Sequence, residues 1–424
     1  MNFDFFNENY GIDKAVFEMV SEHDKELREK FYQLEDIREY NQLKVINAFR
    51  ENRLSQVDFT YTTGYGYGDV GRDKTEKIFS TIFKTEDALV RPTISSGTHA
   101  LAITLYGLLY HGDKMVSLTD HPYDTLQEVI GLTGDDLGTL MERGVAYDHL
   151  PLIDNKIDLD GIEAKLDDKV KLVLIQRSTG YGLRRALTIG EIKEAIDKVK
   201  SINKDIIVMV DNCYGEFTDK LEPSEVGADV VVGSLIKNPG GGIAISGGYI
   251  VGSKEIVQRV SNQLYAPGIG KETGLTFDTT RLTLQGLYFA PHVTIEALKS
   301  ALLFAKVYSN LGYEIIPKFD DPRSDIIQAI IFKDPDKVIN FVQGIQEAST
   351  VGAYVVPYPW EMPGYTDQVI MASGGFVDGS SIEISADGPL REPYVAYYQG
   401  GIVYEQAKLA CMITIKNLRD KNLL

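Results

Sequence analysis

Residues 230–242 read Val-Val-Val-Gly-Ser-Leu-Ile-Lys-Asn-Pro-Gly-Gly-Gly, a short apolar strand that stops at a Ser-x-x-Lys and a turn of one proline and three glycines. A lysine just past a buried strand, followed by residues that let the backbone bend sharply, sits at the floor of a cleft. There its amine can be desolvated and made nucleophilic. Schiff-base chemistry asks this of a lysine, and Lys237 is so placed. Taken alone the pattern also fits a solvated loop lysine, the usual state of this residue type, so the surrounding sequence has to distinguish the two.

Outward from this stretch, strand-like β-branched runs recur at 88–93, 114–118, 145–149, 171–177, 206–211, 229–234 and 247–252, with helical stretches between most of them. Such alternation predicts an α/β fold with a mostly parallel, seven-stranded sheet and helices on both faces. Open sheets of this kind bind ligands outside the carboxyl ends of their strands. The ends at Ser95, Tyr123, Arg177, Asp211 and Lys237 are therefore expected to converge on one crevice.

Three of these ends carry chemistry. Ser96, Gly97 and Thr98 follow the first strand and open an apolar helix. Free N–H groups at a helix start, with a glycine for close approach, suit a phosphate, although an ordinary Ser/Thr cap is the plainer reading. The segment lacks a Walker or dinucleotide glycine pattern. His99 has no second histidine or acid at ligand spacing and is expected to cap or pack, so no metal is called for. Tyr123 places a ring at the second strand's end, where it can stack on a planar ligand. Asp211 ends the apolar run 206–211; a carboxylate there calls for a cationic partner, unless it only caps a helix. Residues 61–72, Tyr-Thr-Thr-Gly-Tyr-Gly-Tyr-Gly-Asp-Val-Gly-Arg, form a glycine-interrupted loop whose Tyr65, Tyr67 and Arg72 can line a polar site or decorate the surface.

Composition narrows the partners. A net charge of -18 disfavours nucleic acid and anionic membrane. The two cysteines, Cys213 and Cys411, have no spacing for a zinc site or disulfide framework and read as small buried residues of a reducing compartment. With no apolar run resembling a signal peptide or long enough to span a bilayer, the expected location is the cytoplasm. At 424 residues more than one domain is expected. The divisions read from the pattern are a helical arm over 1–60, a large α/β domain over 61–289 and a smaller α+β domain over 290–424.

Together these motifs resemble the pyridoxal phosphate-dependent enzymes of fold type I. Within them the chain resembles the cystathionine lyase and methionine γ-lyase branch, and most closely its aluminium-resistance-type cystathionine β-lyase group. The resemblance covers nearly the whole chain, and four motifs in the right order carry it. It implies pyridoxal 5'-phosphate as cofactor, Lys237 as the lysine that bonds it, and Ser234, Ser96, Gly97 and Thr98 as its phosphate site. It also implies Asp211 as the acid pairing with the pyridinium nitrogen, and Tyr123 as the ring stacked on the cofactor. The family's Tyr-x-Arg across the dimer is absent, and Tyr65, Tyr67 and Arg72 occupy its region. Its carboxyl-terminal Ser-Val-Gly-x-Glu is absent too, leaving Arg391 as candidate for the substrate carboxylate, with Tyr67 also on the substrate side.

The implied activity is carbon–sulfur bond cleavage in a sulfur amino acid, giving ammonia, a thiol and a 2-oxo acid. Lys237 would be the general base, with Tyr123 available for proton transfer. Transamination, replacement, racemisation or decarboxylation by the same cofactor, or a turnover-deficient cofactor-binding regulatory protein, are the alternatives. The expected assembly is an obligate homodimer, paired into a homotetramer, whose sites are completed by the neighbour's 61–72 loop. The amphipathic arm is expected to lay apolar faces on the partner.

Overall fold

The structure is a computed structural model that describes residues 2–135 and 137–424. Seven of the apolar runs form one sheet: β1 (Asp87–Arg91), β2 (Lys114–Ser117), β3 (Ala146–His149), β4 (Val170–Gln176), β5 (Ile207–Asp211), β6 (Val230–Ser234) and β7 (Gly248–Gly252), in the order β1-β7-β6-β5-β4-β2-β3. β3, β2, β4, β5 and β6 are parallel, and β7 runs antiparallel to both β6 and β1. The expected α/β architecture is the observed one.

Why these runs are continuously apolar follows from the layers. Alternate residues of a strand point to opposite faces. Val173, Ile175, Val208, Val210 and Val231 pack into one buried cluster, and their neighbours Leu172, Leu174, Met209, Val230 and Val232 into another. A sheet covered by helices on both sides has no polar face. Helices Val70–Ile82 and Ile189–Ile202 supply residues to the first cluster, and helices Gly97–Leu108 and Lys254–Leu264 to the second.

A second, smaller sheet follows: β8 (Glu314–Ile316), β9 (Ile327–Ile331), β10 (Val369–Ser373), β11 (Ser385–Pro389) and β12 (Val395–Gln399), in the antiparallel order β10-β11-β12-β9-β8. Helices Pro335–Glu347 and Tyr404–Asp420 contribute Phe341, Val342, Ala407 and Cys411 to its core. A single helix runs Thr280–Asn310 through Pro291 and spans the division expected at 289/290.

The amino-terminal segment differs from expectation in its packing. It forms three helices, Phe3–Tyr10, Lys14–Glu26 and Arg28–Glu51. Val16, Val20, Leu27 and Phe31 are buried within the same chain, in one core with Leu303, Phe304 and Ala407. Buried Asp24 anchors it, accepting from Lys408 Nζ at 2.7 Å and from the Tyr404 hydroxyl at 2.8 Å. These four residues are covered within the chain, because the 280–310 and 404–420 helices supply a matching surface, while Tyr32, Tyr40 and Leu43 of the third helix stand exposed.

The turn after Lys237 is wedged against the long helix. Gly241 takes a left-handed conformation (φ 56°) that an L side chain rarely adopts, and Cβ atoms on either Gly241 or Gly286 would collide with backbone of the other segment. Replacing Gly286 with alanine should push the Lys237 turn away from the helix. It is expected to cost about 1–3 kcal/mol of stability, the usual range for overpacking, measurable by urea unfolding.

Candidate active site

The carboxyl ends of β4, β5 and β6 open into a cavity of about 310 Å³. Ser96, Gly97, Thr98, Tyr123, Asp211, Ser234 and Lys237 all line it, so seven of the sequence-predicted residues meet in one place. Its far wall comes from the second sheet, through Ile327 of β9, Asp387 of β11, and Tyr397 and Gln399 of β12.

Each position has a local cause. Ser96 caps helix Gly97–Leu108, its hydroxyl accepting from the His99 amide at 3.0 Å, so the first turn's N–H groups face the cavity end of the sheet. Gly97 keeps the floor open: a Cβ there would lie 3.3 Å from Cys213 Sγ and 3.9 Å from Lys237 Nζ. The Thr98 hydroxyl is within 2.9 Å of the Tyr123 hydroxyl and 3.0 Å of Thr125 Oγ1. The Tyr123 amide donates to Gln176 Oε1 at 2.9 Å. Ser234 Oγ is buried with no hydrogen-bond partner. The Asn238 side chain donates to the carbonyls of Tyr214 and Glu216, both at 3.0 Å, tying the Lys237 turn to the segment after β5.

Asp211 and Lys237 set the electrostatics. Asp211 is buried, its carboxylate accepting from the Cys213 amide at 3.0 Å, and burial raises its pKa despite the attraction of Lys237. Lys237 Nζ stands 3.8 Å from the centre of the Tyr214 ring. Burial opposes its ammonium charge, but the surrounding Cys213, Tyr214, Asp211 and Tyr123 side chains hold its pKa up on balance. Asp211 is the sound part of that attraction, because burial drives the Cys213 thiol and the Tyr214 and Tyr123 hydroxyls up as well and keeps them neutral.

Other expected residues lie elsewhere. Ser95 is exposed and faces His99 Nδ1. The Arg177 guanidinium turns inward, donating to Asn212 Oδ1 at 2.8 Å and Thr218 Oγ1 at 3.0 Å. Arg72 is buried in the first turn of helix Val70–Ile82 and donates to the carbonyls of Gly64, Gly66 and Glu272. It clamps its own loop, because the glycine-rich backbone leaves carbonyls that only a forked donor can gather. Tyr65 and Tyr67 are 72% and 77% exposed and outside the cavity of their own chain. Arg391 lines a neighbouring cavity, pairing with Asp367 at 3.1 Å and Asp124 at 3.9 Å. Arg184 and Arg185 are equally engaged, with the carbonyls of Gln176 and Ser178 and with Glu191.

Sequence reasoning missed Asp387, Tyr181, Tyr214 and Tyr365, which complete the cavity. Burial pushes the Asp387 carboxyl up to about 7 even though Gln399 Nε2 donates to it at 3.1 Å. Strand β11 lies between β10 and β12, with Asp387 opposite Met371 on one side and Tyr397 on the other, so which way Asp387 faces is set by pairing outside its own segment; its Ser-Ala-Asp-Gly-Pro setting was the only local signal.

The donor set fits pyridoxal 5'-phosphate. A helix start and a buried, unpaired serine hydroxyl suit a phosphate, a buried carboxylate without an ion pair suits a pyridinium nitrogen, and a desolvated lysine suits an aldehyde. The fold agrees: the pyridoxal-5'-phosphate dependent protein YhfS from Escherichia coli superposes with a TM-score of 0.62 over 91% of this chain and 97% of that one, at 15% identity. Fold and site thus define an α/β protein with a Lys237- and Asp211-lined cavity at the carboxyl ends of its central strands. The chain matches the methionine γ-lyase family over residues 16–419, belongs to that family, and is an enzyme. It is 47% identical over 394 residues to the uncharacterised protein YnbB of Bacillus subtilis (strain 168), covering 92% of this chain and 94% of that protein. A carbon–sulfur lyase involved in aluminium resistance from Clostridium novyi NT is 48% identical, with a TM-score of 0.94 and 98% of each chain covered. No helix among the described residues is long and apolar enough to cross a membrane.

Behind Lys237, Glu216 is fully buried and accepts from the Tyr249 hydroxyl at 2.7 Å, and burial pushes its pKa up to about 8. Its unfolded value is about 4.3. Between these values the native state keeps a proton that the unfolded chain has lost, so Glu216 lowers stability progressively as pH rises from about 4 to 8. Glu216→Gln, which cannot ionise, should shrink the loss of unfolding free energy between pH 5 and pH 8 by on the order of 1 kcal/mol or more. Urea unfolding at the two pH values measures it, and an unchanged difference would mean that Glu216 ionises normally.

Proposed function

We propose that this enzyme is a cytoplasmic, pyridoxal phosphate-dependent carbon–sulfur lyase acting on a sulfur-containing amino acid. The observation that carries the reading is the convergence of Ser96, Gly97, Thr98, Ser234, Asp211 and Lys237 on one cavity. The cofactor, when bound, supplies an electron sink that labilises bonds at the amino acid's Cα and beyond.

The chain's own groups do the rest. The helix start at Ser96–Thr98 and the Ser234 hydroxyl, which line the cavity, would hold the phosphate, and Tyr123 would contact the ring. Buried Asp211, as an anion, would keep the ring nitrogen protonated. Lys237 would supply the amine that bonds the cofactor and, once released, the base for the substrate Cα proton. Loss of the thiol and addition of water give ammonia and a 2-oxo acid. Asp387, facing the cavity from β11 with its carboxyl poised near neutrality, favours a substrate with a second ammonium at its far end, as in cystathionine, over one with a plain methyl thioether.

The reconstituted protein should therefore release ammonia and 2-oxo acid from cystathionine faster than from methionine. Borohydride reduction followed by mass spectrometry should find the cofactor on Lys237, and Lys237→Ala should lose both label and turnover. A wild-type protein that releases 2-oxo acid from none of a panel of sulfur amino acids would overturn the reading.

We further propose a homodimer, paired into a tetramer, with the partner's 61–72 loop at each site. Lys237 is the only cationic side chain lining the cavity among the described residues, too few for a doubly charged phosphate, while Tyr61, Tyr65 and Tyr67 stand exposed on a loop that Arg72 holds in shape. The domain divisions at 60/61 and 289/290 remain part of this proposal as functional units. Mixing inactive Lys237→Ala with a Tyr65→Ala, Tyr67→Ala double variant under subunit exchange should restore part of the activity, because one site in a mixed dimer carries neither lesion. Confirmed exchange without recovery, or a fully active double tyrosine variant, would refute the shared site.

A further inference from the structure

Outside the Lys237 cavity, the ends of β2 and β3 assemble a second cluster. Asp120, His121 and His149 each offer a ligand atom within 4.8 Å of the others. Strands β2 and β3 pair in parallel with Ser117 opposite His149, so the residues just past β2 come alongside the imidazole that ends β3. The two imidazole rings lie 3.9 Å apart between centroids, and His149 Nε2 is 3.6 Å from Asp120 Oδ1.

The backbone that carries these groups is tied down on every side. Asp120 sits in the left-handed region (φ 62°), its N–H donating to the Leu150 carbonyl at 3.0 Å and its carbonyl accepting from Ser117 Oγ at 2.6 Å. Its carboxylate accepts from the His121 amide at 2.8 Å. His121 Nδ1 lies 3.2 Å from the Tyr147 hydroxyl, whose ring stacks on the imidazole. With Nδ1 so engaged, Nε2 of His121 is left as the free donor, the arrangement in which an outer hydrogen bond orients a ligating histidine.

We propose that Asp120, His121 and His149 form a binding site for a divalent transition-metal ion of the zinc and cobalt kind. Two imidazoles and one carboxylate are borderline donors that suit such ions and not magnesium or calcium, which take oxygen ligands. Metal–ligand bonds of about 2.0–2.2 Å put ligand atoms roughly 3–4 Å apart, so small rotations of these partly exposed side chains close the cluster on an ion. Solvent on the open side completes the coordination. The second cavity, about 500 Å³, adjoins the site and is lined by Asp120, His121, Tyr123 and Gln176, the last two of which also line the Lys237 cavity. An ion bound here would tie the turn that carries Tyr123 to β3, restraining a ring of the active site from outside it.

The test is binding by the chelator-treated holoenzyme, read independently of lyase activity. Titration with Co²⁺ alone should give visible ligand-field bands that saturate at a single ion per chain, are quenched by Zn²⁺, and are unaffected by Mg²⁺. His121→Ala and His149→Ala should each weaken binding by about tenfold or more, and the double variant should abolish the bands while thermal unfolding without metal stays unchanged. Tyr147→Phe should weaken binding about tenfold, as loss of an outer partner does. A wild type without saturable Co²⁺ binding, or bands of full strength in the double variant, for instance from metal on the cofactor, would overturn the site. Should a histidine variant unfold, Asp120→Asn supplies the same comparison.

Discussion

An amine and a carboxyl group, partly buried Lys237 and buried Asp211, line one cavity, and among the described residues neither is neutralised by a direct ion pair. Two charges held this way cost several kcal/mol each unless something else satisfies them. That cost is tolerable only where the scaffold is rigid enough to keep the groups from seeking solvent. The parallel strands provide that rigidity: β5 ends in Asp211, β6 ends in Ser234, and Lys237 follows at once, in a turn locked against helix Thr280–Asn310 by facing glycines. A molecule carrying an aldehyde, a basic ring nitrogen and a phosphate relieves all three unsatisfied groups together.

The second sheet closes the far side of this cavity. The large sheet supplies groups toward one side of the cavity, and β9, β11 and β12 close the other with Ile327, Asp387, Tyr397 and Gln399. Tyr397 donates to the Tyr181 carbonyl at 2.6 Å, and Asp325, beside β9, accepts from Ser178 Oγ at 2.9 Å, so the two sheets are joined by hydrogen bonds at the rim. The helix that connects the sheets is continuous across the junction. Chemistry common to the cofactor sits on the parallel sheet, whereas groups able to choose a side chain sit on the antiparallel one.

Legibility in the sequence followed the range of the interactions involved. The seven strands could be read because each is buried on both faces, and that burial writes a continuous β-branched run into a few adjacent residues. Lys237, Asp211, Ser234 and the Ser96–Thr98 helix start were readable for the same reason, since each lies directly at the end of such a run. What could not be read depended on partners distant in sequence. Arg72 looked available because nothing nearby announces that it gathers the carbonyls of Gly64, Gly66 and Glu272. Arg391 looked available because Asp367 and Asp124 reach it from other segments. Asp387 was invisible because a short, largely buried antiparallel strand containing Gly and Pro has no distinctive periodicity. The arm's amphipathicity was legible, but amphipathicity names a face without naming what covers it, and here the cover is the chain's own carboxyl-terminal helix.

Those two arginines carry a wider consequence. In a chain with a net charge of -18, cations near an anion-binding cavity are scarce, and several here are committed to structural work on carbonyls and carboxylates. Because guanidinium groups fixed in this way cannot swing into the cavity without unpairing what they hold, the proposed phosphate site would rest on backbone N–H groups and hydroxyls from this chain. Neutral donors of this kind bind a phosphate through many weak contacts instead of one strong charge. Such a site gains most from a further wall that excludes water, since hydrogen bonds strengthen as the local dielectric falls. The exposed tyrosines on the Arg72-braced loop have the chemistry for that wall, an apolar ring ending in a hydroxyl donor, and their exposure on the isolated chain is what a surface reserved for a second copy requires.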